Sequence, residues 1–251
     1  MVAGIAFGEI PTMVVLALLS GCTAFEFYRM VRAGGHAPLS IFGTACAALF
    51  PVVGYLGGLE YLALLALTLV GGMLVCFVIA PSATVADCAL SVFGALYTGF
   101  ALSALLLVRM GAGGGWPGAF LALGVFASVL ADDIFAYLVG SKLGRHKMAP
   151  RISPKKSWEG FVAGVVGSVA VWCVLPFLVP ALSFGWALAG GVACALSGVL
   201  GDFAESRIKR DVGVKDSGSL MPGHGGLLDR NDSLILASVA SYLVLLLSGV
   251  L

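Results

Sequence analysis

The chain has 251 residues, of which 60% are hydrophobic and only 11% are charged, with a formal net charge of +1. A typical soluble domain carries about 25% charged residues, so this composition excludes a water-soluble globular protein. The mean hydropathy of +1.05 instead indicates a protein that exposes its apolar side chains to lipid. No nucleic-acid partner is expected.

Eight apolar segments, each long enough to cross a bilayer as a helix, are predicted along the chain. About 20 apolar residues span the hydrocarbon core as a helix, and the apolar runs here are much longer than the alternating strands of about ten residues in a β-barrel. We therefore predict an all-α, polytopic integral membrane protein. It forms one membrane domain, with N-terminal helices in 1–115 and a catalytic half in 116–251. The predicted spans are 10–28, 40–57, 61–80, 84–108, 116–138, 160–180, 184–200 and 234–251.

The basic residues predict which side of the membrane each loop faces. The loops after the first, fifth and seventh spans hold two, six and five basic residues, and only Arg109 of the fourteen lies on the other side. Because cytoplasmic loops carry an excess of Lys and Arg, these three loops are expected to face the cytoplasm. The expected location is a bacterial inner membrane, with a polar active site at its cytoplasmic face.

The first polar segment, 139–159, follows two acids near the end of the fifth span, Asp132 and Asp133. Ionised carboxylates are costly inside a membrane and are functional candidates for that reason, although a helix-end acid can also reach for the interface. The segment ends in SPKKSWEG, from Ser153 to Gly160. Ser153 and Pro154 are also typical of a helix N-cap followed by a first-turn proline.

The second polar segment, 201–233, is the richest in chemistry. On a helix continuing from the seventh span, Asp202, Glu205, Ser206 and Lys209 follow at i, i+3, i+4 and i+7, and share one face. Two carboxylates, a hydroxyl and an ammonium group on one face suit a metal ion and a phosphate. Glycines then predict a loop whose backbone N–H groups can approach an anion closely. These glycines are Gly213, Gly218, Gly223, Gly225 and Gly226.

A magnesium site is predicted at the lipid headgroup level. Mg²⁺ takes oxygen ligands, usually one or two carboxylates together with substrate phosphates. Asp202 and Asp229 are the first candidates because each borders an apolar span, and Glu205 is a third. A second cation is left open. Alternatives also stay open for three residues: Asp211 and Asp232 can be solvated or paired with arginines, and His224 can be a loop residue that bonds to the backbone.

The run SRIKRDVGVKDSGSLMPGHGGLLDRND, from Ser206 to Asp232, closely resembles the signature of the phosphatidate cytidylyltransferase (CDP-diacylglycerol synthase) family. The match includes an S-x-x-K-R start, the pair Lys215 and Asp216, the P-G-H-G-G core and a final D-R-x-D. Asn231 departs from the pattern, since the family usually has an apolar residue there. Upstream, SPKKSWEG and DIFAYLVGSKLGRHK are similar to family sequence in the same order.

The resemblance implies attack by the phosphate of phosphatidic acid on the α-phosphorus of CTP, giving CDP-diacylglycerol and pyrophosphate. Such a phosphate is already largely ionised at neutral pH, so no serine or cysteine nucleophile is expected. The implied cofactor is Mg²⁺, the implied surroundings are membrane lipid, and the implied assembly is a homodimer. The implied catalytic residues are Asp202, Lys209, Arg210, Lys215, Asp216, His224, Asp229 and Arg230. The implied substrate-binding residues are Asp133, Lys155, Lys156, Glu159, Ser206, Gly223, Gly225 and Gly226.

Two other classes of function remain open at this point. A related CTP-dependent enzyme, such as a CDP-archaeol synthase or a polyprenol kinase, would use another lipid acceptor. In a cytidylyltransferase the α-phosphate label of CTP enters the lipid, whereas in a kinase the γ-phosphate label does. An ion-coupled transporter could also use intramembrane acids such as Asp133, and it would carry ions without turning over CTP.

Overall fold

The computed structural model describes residues 1–150, 152–218 and 225–251. Two predicted site residues, Gly223 and His224, lie outside them. The described chain is helical apart from one short hairpin of two strands. Six helical segments are long and apolar enough to cross a membrane, namely 9–33, 40–79, 85–110, 115–143, 158–178 and 184–211. The predicted class, an all-α integral membrane protein, is confirmed.

The N-terminal half is a bundle in which one long helix is bent back on itself. Non-helical backbone angles at Gly57 and Gly58 interrupt this helix, and Gly58 has φ of +60°. Beyond the break the chain returns, because Leu62 packs against Gly54 and Phe42 lies near Gly72. The helices of this half are α1 (Val2–Phe7), α2 (Glu9–Ala33), α3 (Ser40–Ile79), α4 (Val85–Ala95), a π-helical turn (Leu96–Phe100) and α5 (Ala101–Met110).

The C-terminal half contains the two polar segments. A two-stranded antiparallel hairpin occupies most of the first segment, and the second begins on the last turns of a long helix. The elements are α6 (Gly115–Leu143), β1 (Lys147–Ala149), β2 (Ser153–Ser157), α7 (Trp158–Trp172), α8 (Leu175–Leu178), α9 (Phe184–Asp211), a 3₁₀ turn (Leu228–Arg230) and α10 (Asp232–Leu247).

The structure agrees with one detail of the sequence interpretation and corrects another. The predicted spans 40–57 and 61–80 correspond to the two arms of α3, which meet at the non-helical residues Gly57 and Gly58. Ser153 begins strand β2 and does not cap a helix; the N-cap of α7 is Ser157, whose Oγ accepts the Gly160 N–H at 3.2 Å. The Ser-Pro pattern was misleading because Pro154 also fits an extended strand at the edge of a sheet.

Helices α6 and α7 approach each other closely because α7 presents glycines to its neighbour. A Cβ atom at Gly160 would lie 2.7 Å from the Ala136 carbonyl oxygen, and one at Gly167 would lie 3.1 Å from the Ala131 carbonyl oxygen. Lipid tails supply no hydrophobic driving force between helices, so close contact of small residues is what stabilises such pairs. This contact holds the base of the first polar segment.

The side of the bundle opposite the polar segments is closed by Arg109. Its side chain is 4% exposed, and its guanidinium donates to the Ile5 carbonyl at 3.0 Å and the Gly115 carbonyl at 2.9 Å. Glu9 lies 3.9 Å away. The one basic residue on this side therefore ties α1 to the loop between α5 and α6.

Candidate active site

A cavity of about 460 Å³ lies between α6, the β-hairpin and α7. Its polar lining includes three lysines, Lys147, Lys155 and Lys156, and two acids from α6, Asp132 and Asp133. Small-molecule sites usually have volumes of about 300 to 1,000 Å³. The cavity therefore has the size for a nucleotide or a lipid headgroup, and its lysines give it the charge for phosphate.

The two acids of α6 have different surroundings. Asp133 is exposed in the cavity wall. Asp132 is 6% exposed, and its Oδ1 has no hydrogen-bond partner among the described residues. It faces Gly164 of α7, where a side chain would collide with it. A buried acceptor without a partner is costly, so Asp132, which the sequence ranked below Asp133, is available to a bound group.

An ion pair connects this cavity to α9. Lys156 of strand β2 lies 2.6 Å from the Asp202 carboxylate, and its ammonium group also sits over the Phe203 ring at 4.6 Å from the centroid. The Ser206 hydroxyl donates to Asp202 at 3.2 Å. The two polar segments, more than forty residues apart in the chain, therefore meet at one carboxylate.

A second ion-pair cluster lies further along α9. The ammonium group of Lys209 contacts the Glu205 carboxylate one turn away and the Asp229 carboxylate at 2.7 Å. The side chain of Glu205 is fully buried, and those of Lys209 and Asp229 are 13% and 15% exposed. Buried charges persist only when they are paired, so Lys209 is the counter-ion that holds two acids together.

The backbone of the second polar segment wraps around Asp229. Its carboxylate accepts the Ser217 N–H at 3.1 Å and the Gly226 N–H at 2.7 Å. Burial alone would raise the pKa of this carboxyl, but the Glu205 contact, Lys209 and the Gly226 N–H hold its pKa well below its usual range. Asp229 is therefore ionised at neutral pH and organises the loop around itself.

The sequence interpretation gave no role to Glu26 of α2, which reaches the same loop. Glu26 is 3% exposed, and its Oε2 accepts the Leu228 N–H at 2.8 Å. Its buried Oε1 has no hydrogen-bond partner in the described chain. The signal that could have found it is an acid within an apolar span, the same signal that selected Asp133.

The acidic side chains of the site can each offer carboxylate oxygens to a magnesium ion. The carboxyl groups of Asp133, Asp202 and Asp232 interact electrostatically with one another. Within the described ranges, however, no three His, Cys, Asp or Glu side chains are grouped closely enough to hold a metal ion by themselves. Mg²⁺ commonly uses only one or two carboxylates and completes its shell with phosphates and water. The acidic side chains therefore fit a metal that arrives with a triphosphate.

Several predicted residues lie apart from these contacts. Glu159 is not among the residues lining the cavity; its carboxylate accepts the Arg145 and His146 N–H groups at 3.2 Å and so closes the base of the hairpin. Arg210 is exposed and lies 3.5 Å from the Val214 carbonyl.

The remaining predicted residues belong to the second polar segment. Lys215, Asp216 and Arg230 are exposed. Gly225 has φ of +81°, a conformation that favours glycine, and it lies beside the Asp229 carboxylate. Gly226 is buried and donates its N–H to Asp229, as predicted for a glycine that approaches an anion.

Comparison with known proteins identifies the family of this chain. Residues 1–248 match the model of the cytidylyltransferase family. A phosphatidate cytidylyltransferase of Mycobacterium bovis is 34% identical over 98% of this chain and 84% of its own length. One from Synechocystis is 36% identical over 90% of this chain and 85% of its own. The chloroplastic phosphatidate cytidylyltransferase 4 of Arabidopsis thaliana is 35% identical over 86% of this chain and 62% of its own. The chain belongs to the cytidylyltransferase family.

Proposed function

We propose that this protein transfers the cytidylyl group of CTP to phosphatidic acid, giving CDP-diacylglycerol and pyrophosphate for phospholipid synthesis. The observation that carries the proposal is the junction at Asp202, where the lysine-lined cavity meets the acidic face of α9 through Lys156. The names of the relatives support the same reaction. A kinase or a transporter has no comparable support.

The reaction needs little covalent chemistry from the protein. A phosphate oxygen of phosphatidic acid attacks the α-phosphorus of CTP. The bond between the α-phosphorus and the oxygen that bridges it to the β-phosphorus breaks, and pyrophosphate leaves. Both reactants are anions, so the chain must hold them in line and offset their charge. Lys147, Lys155 and Lys156 are positioned to bind phosphate oxygens in the cavity.

Mg²⁺ would be held by Asp202 and Asp229, with Glu205 as a further candidate, together with phosphate oxygens of the nucleotide. When bound, the metal supplies positive charge that lowers the barrier to pyrophosphate departure. The carboxylates now contact Lys156 and Lys209. These lysines hold the carboxylates in place, and their ammonium groups can shift to phosphate as the substrate complex forms.

We further propose eight membrane crossings with both polar segments in the cytoplasm of a bacterial cell. The six helices that are long enough become eight crossings if the two arms of α3 cross separately and the 16-residue α10 crosses as well. The basic residues favour the cytoplasmic side. A homodimer, suggested by the family resemblance, remains a prediction.

The decisive assay combines the purified protein with CTP, Mg²⁺ and phosphatidic acid in detergent micelles. CDP-diacylglycerol and an equal amount of pyrophosphate are the expected products. Label from the α-phosphate of CTP should enter the lipid, and label from the γ-phosphate should not. Lipid labelled only from the γ-phosphate would instead identify a kinase and refute the proposal.

The metal assignment is tested by Asp202→Asn and Asp229→Asn, with Asp211→Asn as the matched control at the exposed end of α9. Both site variants should lose magnesium-dependent synthesis, while the control keeps the activity of the original protein. Full activity in both site variants would reject these residues as metal ligands.

A further inference from the structure

Glu26 lies in α2, far along the chain from the family signature, yet its carboxylate is enclosed by that signature. Gly218 and Gly226 come so close that a Cβ atom on them would lie 2.7 Å from Oε1 and 2.6 Å from Oε2, respectively. No side chain larger than hydrogen fits at either position while Glu26 is in place. The described ends of the loop, at Gly218 and Gly226, therefore fit closely against this carboxylate.

The bond between Glu26 and Leu228 falls at a position where the backbone needs an acceptor. Leu228 begins the 3₁₀ turn that carries Asp229. The first N–H groups of a helical turn have no partner within the turn, and here Glu26 Oε2 supplies one at 2.8 Å. The carboxylate thereby fixes the backbone of the turn that bears the acid paired with Lys209.

A continuous series of contacts links Glu26 to Asp229. Asp229 accepts N–H groups from Ser217 and Gly226, and the neighbouring Gly218 and Gly226 pack on Glu26. Two carboxylates, Glu26 of α2 and Asp229 of the 3₁₀ turn, therefore each contact both ends of the loop, at 217–218 and 226–228. Displacing Glu26 would therefore loosen the backbone whose N–H groups bind Asp229.

We infer that Glu26 is a positioning residue for the reaction, acting through Asp229 and not by touching substrate. This inference rests on the proposed function for its kinetic part. It also means that the N-terminal half is not only a membrane anchor, because α2 fixes the catalytic loop in place. A positioning role by hydrogen bonding requires an acceptor atom at the Oε2 position, and it does not require a negative charge.

The test compares Glu26→Ala, Glu26→Gln and Glu26→Asp with Thr23→Ala as the matched control. Thr23 is buried one turn earlier on α2, and its hydroxyl bonds only to carbonyls of its own helix. Glu26→Ala should lower kcat about 100-fold, the loss expected when reacting groups are misplaced by about 1 Å, with the KM for CTP nearly unchanged. Glu26→Gln keeps an acceptor oxygen and should stay within about threefold of the original kcat.

Glu26→Asp, one methylene shorter, should lose about tenfold in kcat. If Glu26→Ala does not fold, this variant and Glu26→Gln decide the matter. A Gln variant as inactive as Ala, or an Asp variant with full activity, would overturn the inference.

Amide hydrogen exchange provides a readout that does not depend on activity. In Glu26→Ala and Glu26→Asp, the N–H groups of Ser217, Gly226 and Leu228 should exchange at least about tenfold faster, while those of strand β2 should not change. Unchanged exchange at Ser217 and Gly226 would refute the role of Glu26. If the original protein makes no CDP-lipid, the proposed function fails, but the exchange measurement still tests the contact itself.

Discussion

Lys209 is the residue on which the charge balance of the site depends. Among the described residues, its ammonium group forms ion pairs with both Glu205 and Asp229, and all three side chains are largely buried. Removing one member of a buried ion pair leaves an uncompensated charge, which usually costs several kcal/mol. The cluster thus couples the stability of α9 to the position of the loop that carries Asp229.

Lys209→Met should abolish most activity and destabilise the protein. We expect the free energy of unfolding in detergent to fall by about 3 kcal/mol and kcat to fall about 100-fold. Thermal unfolding and steady-state kinetics measure the two effects. Arg207→Met, on the exposed side of the same helix, is the control and should change neither. Activity of Lys209→Met above a tenth of the original would contradict the role given to the lysine.

The junction between Lys156 and Asp202 makes a prediction about coupling. Because the two groups lie 2.6 Å apart, Lys156→Ala and Asp202→Asn should be strongly non-additive in kcat/KM, with an interaction energy of about 1 kcal/mol or more. In a control double-mutant cycle, Lys142→Ala is combined with Asp202→Asn, and the two effects should be additive. Lys142 is an exposed lysine that does not line the cavity. Equal additivity in both cycles would show that the pair is not coupled during the reaction.

Among the elements, the contact between α6 and α7 determines the width of the cavity. Gly160, Gly164 and Gly167 follow along one face of α7, and each lies against α6. Gly140 and Gly160 also line the cavity. The distance between the helices and the shape of the site are therefore set by the same small residues.

Gly160→Ala should weaken nucleotide binding. The new methyl group would lie 2.7 Å from the Ala136 carbonyl oxygen and 3.1 Å from Gly140 Cα, so the helices must separate. Overpacking of this kind costs about 1 to 3 kcal/mol, and we expect the KM for CTP to rise about tenfold. Gly71→Ala in α3 is the matched control, since a Cβ there would have nothing within 4 Å. A normal KM in Gly160→Ala would show that the cavity tolerates a wider helix pair.

For the whole molecule, the break at Gly57 and Gly58 decides which side each later loop faces. Forty residues of continuous helix would be about 60 Å long, twice the hydrocarbon thickness of about 30 Å. A turn at the break instead gives two arms of membrane-spanning length. If α3 crossed only once, the two polar segments would lie on the side of the membrane opposite the loop between α2 and α3.

Cysteine labelling tests this topology. In a cysteine-free background, Glu60→Cys and Gly113→Cys should react with a membrane-impermeant maleimide in intact spheroplasts. Gly35→Cys and Asp216→Cys should react only after the membrane is permeabilised. All four positions are exposed; Glu60 follows the glycine break of α3, and the other three lie in loops. Labelling of Asp216→Cys from outside would refute the cytoplasmic placement of the site.

The sequence by itself determined the features that depend on local spacing and composition. Long apolar runs specified membrane helices. The helical period placed Asp202, Glu205, Ser206 and Lys209 on one face, and in α9 Ser206 contacts Asp202 and Lys209 contacts Glu205. Predicting them required no knowledge of distant contacts. The glycines of the signature likewise predicted a loop that approaches an anion, although the anion that Gly226 binds is Asp229 itself.

Only the tertiary structure decided which of these residues meet. Lys156 pairs with Asp202, and Glu26 bonds to a residue 202 positions away; neither contact follows from any periodicity. The strand at Ser153 was also decided by the tertiary structure, because Ser153 and Pro154 are equally compatible with the start of a helix. Side chains far apart in the chain are brought together by how helices pack in the membrane, and that packing depends on small residues facing one another across separate spans.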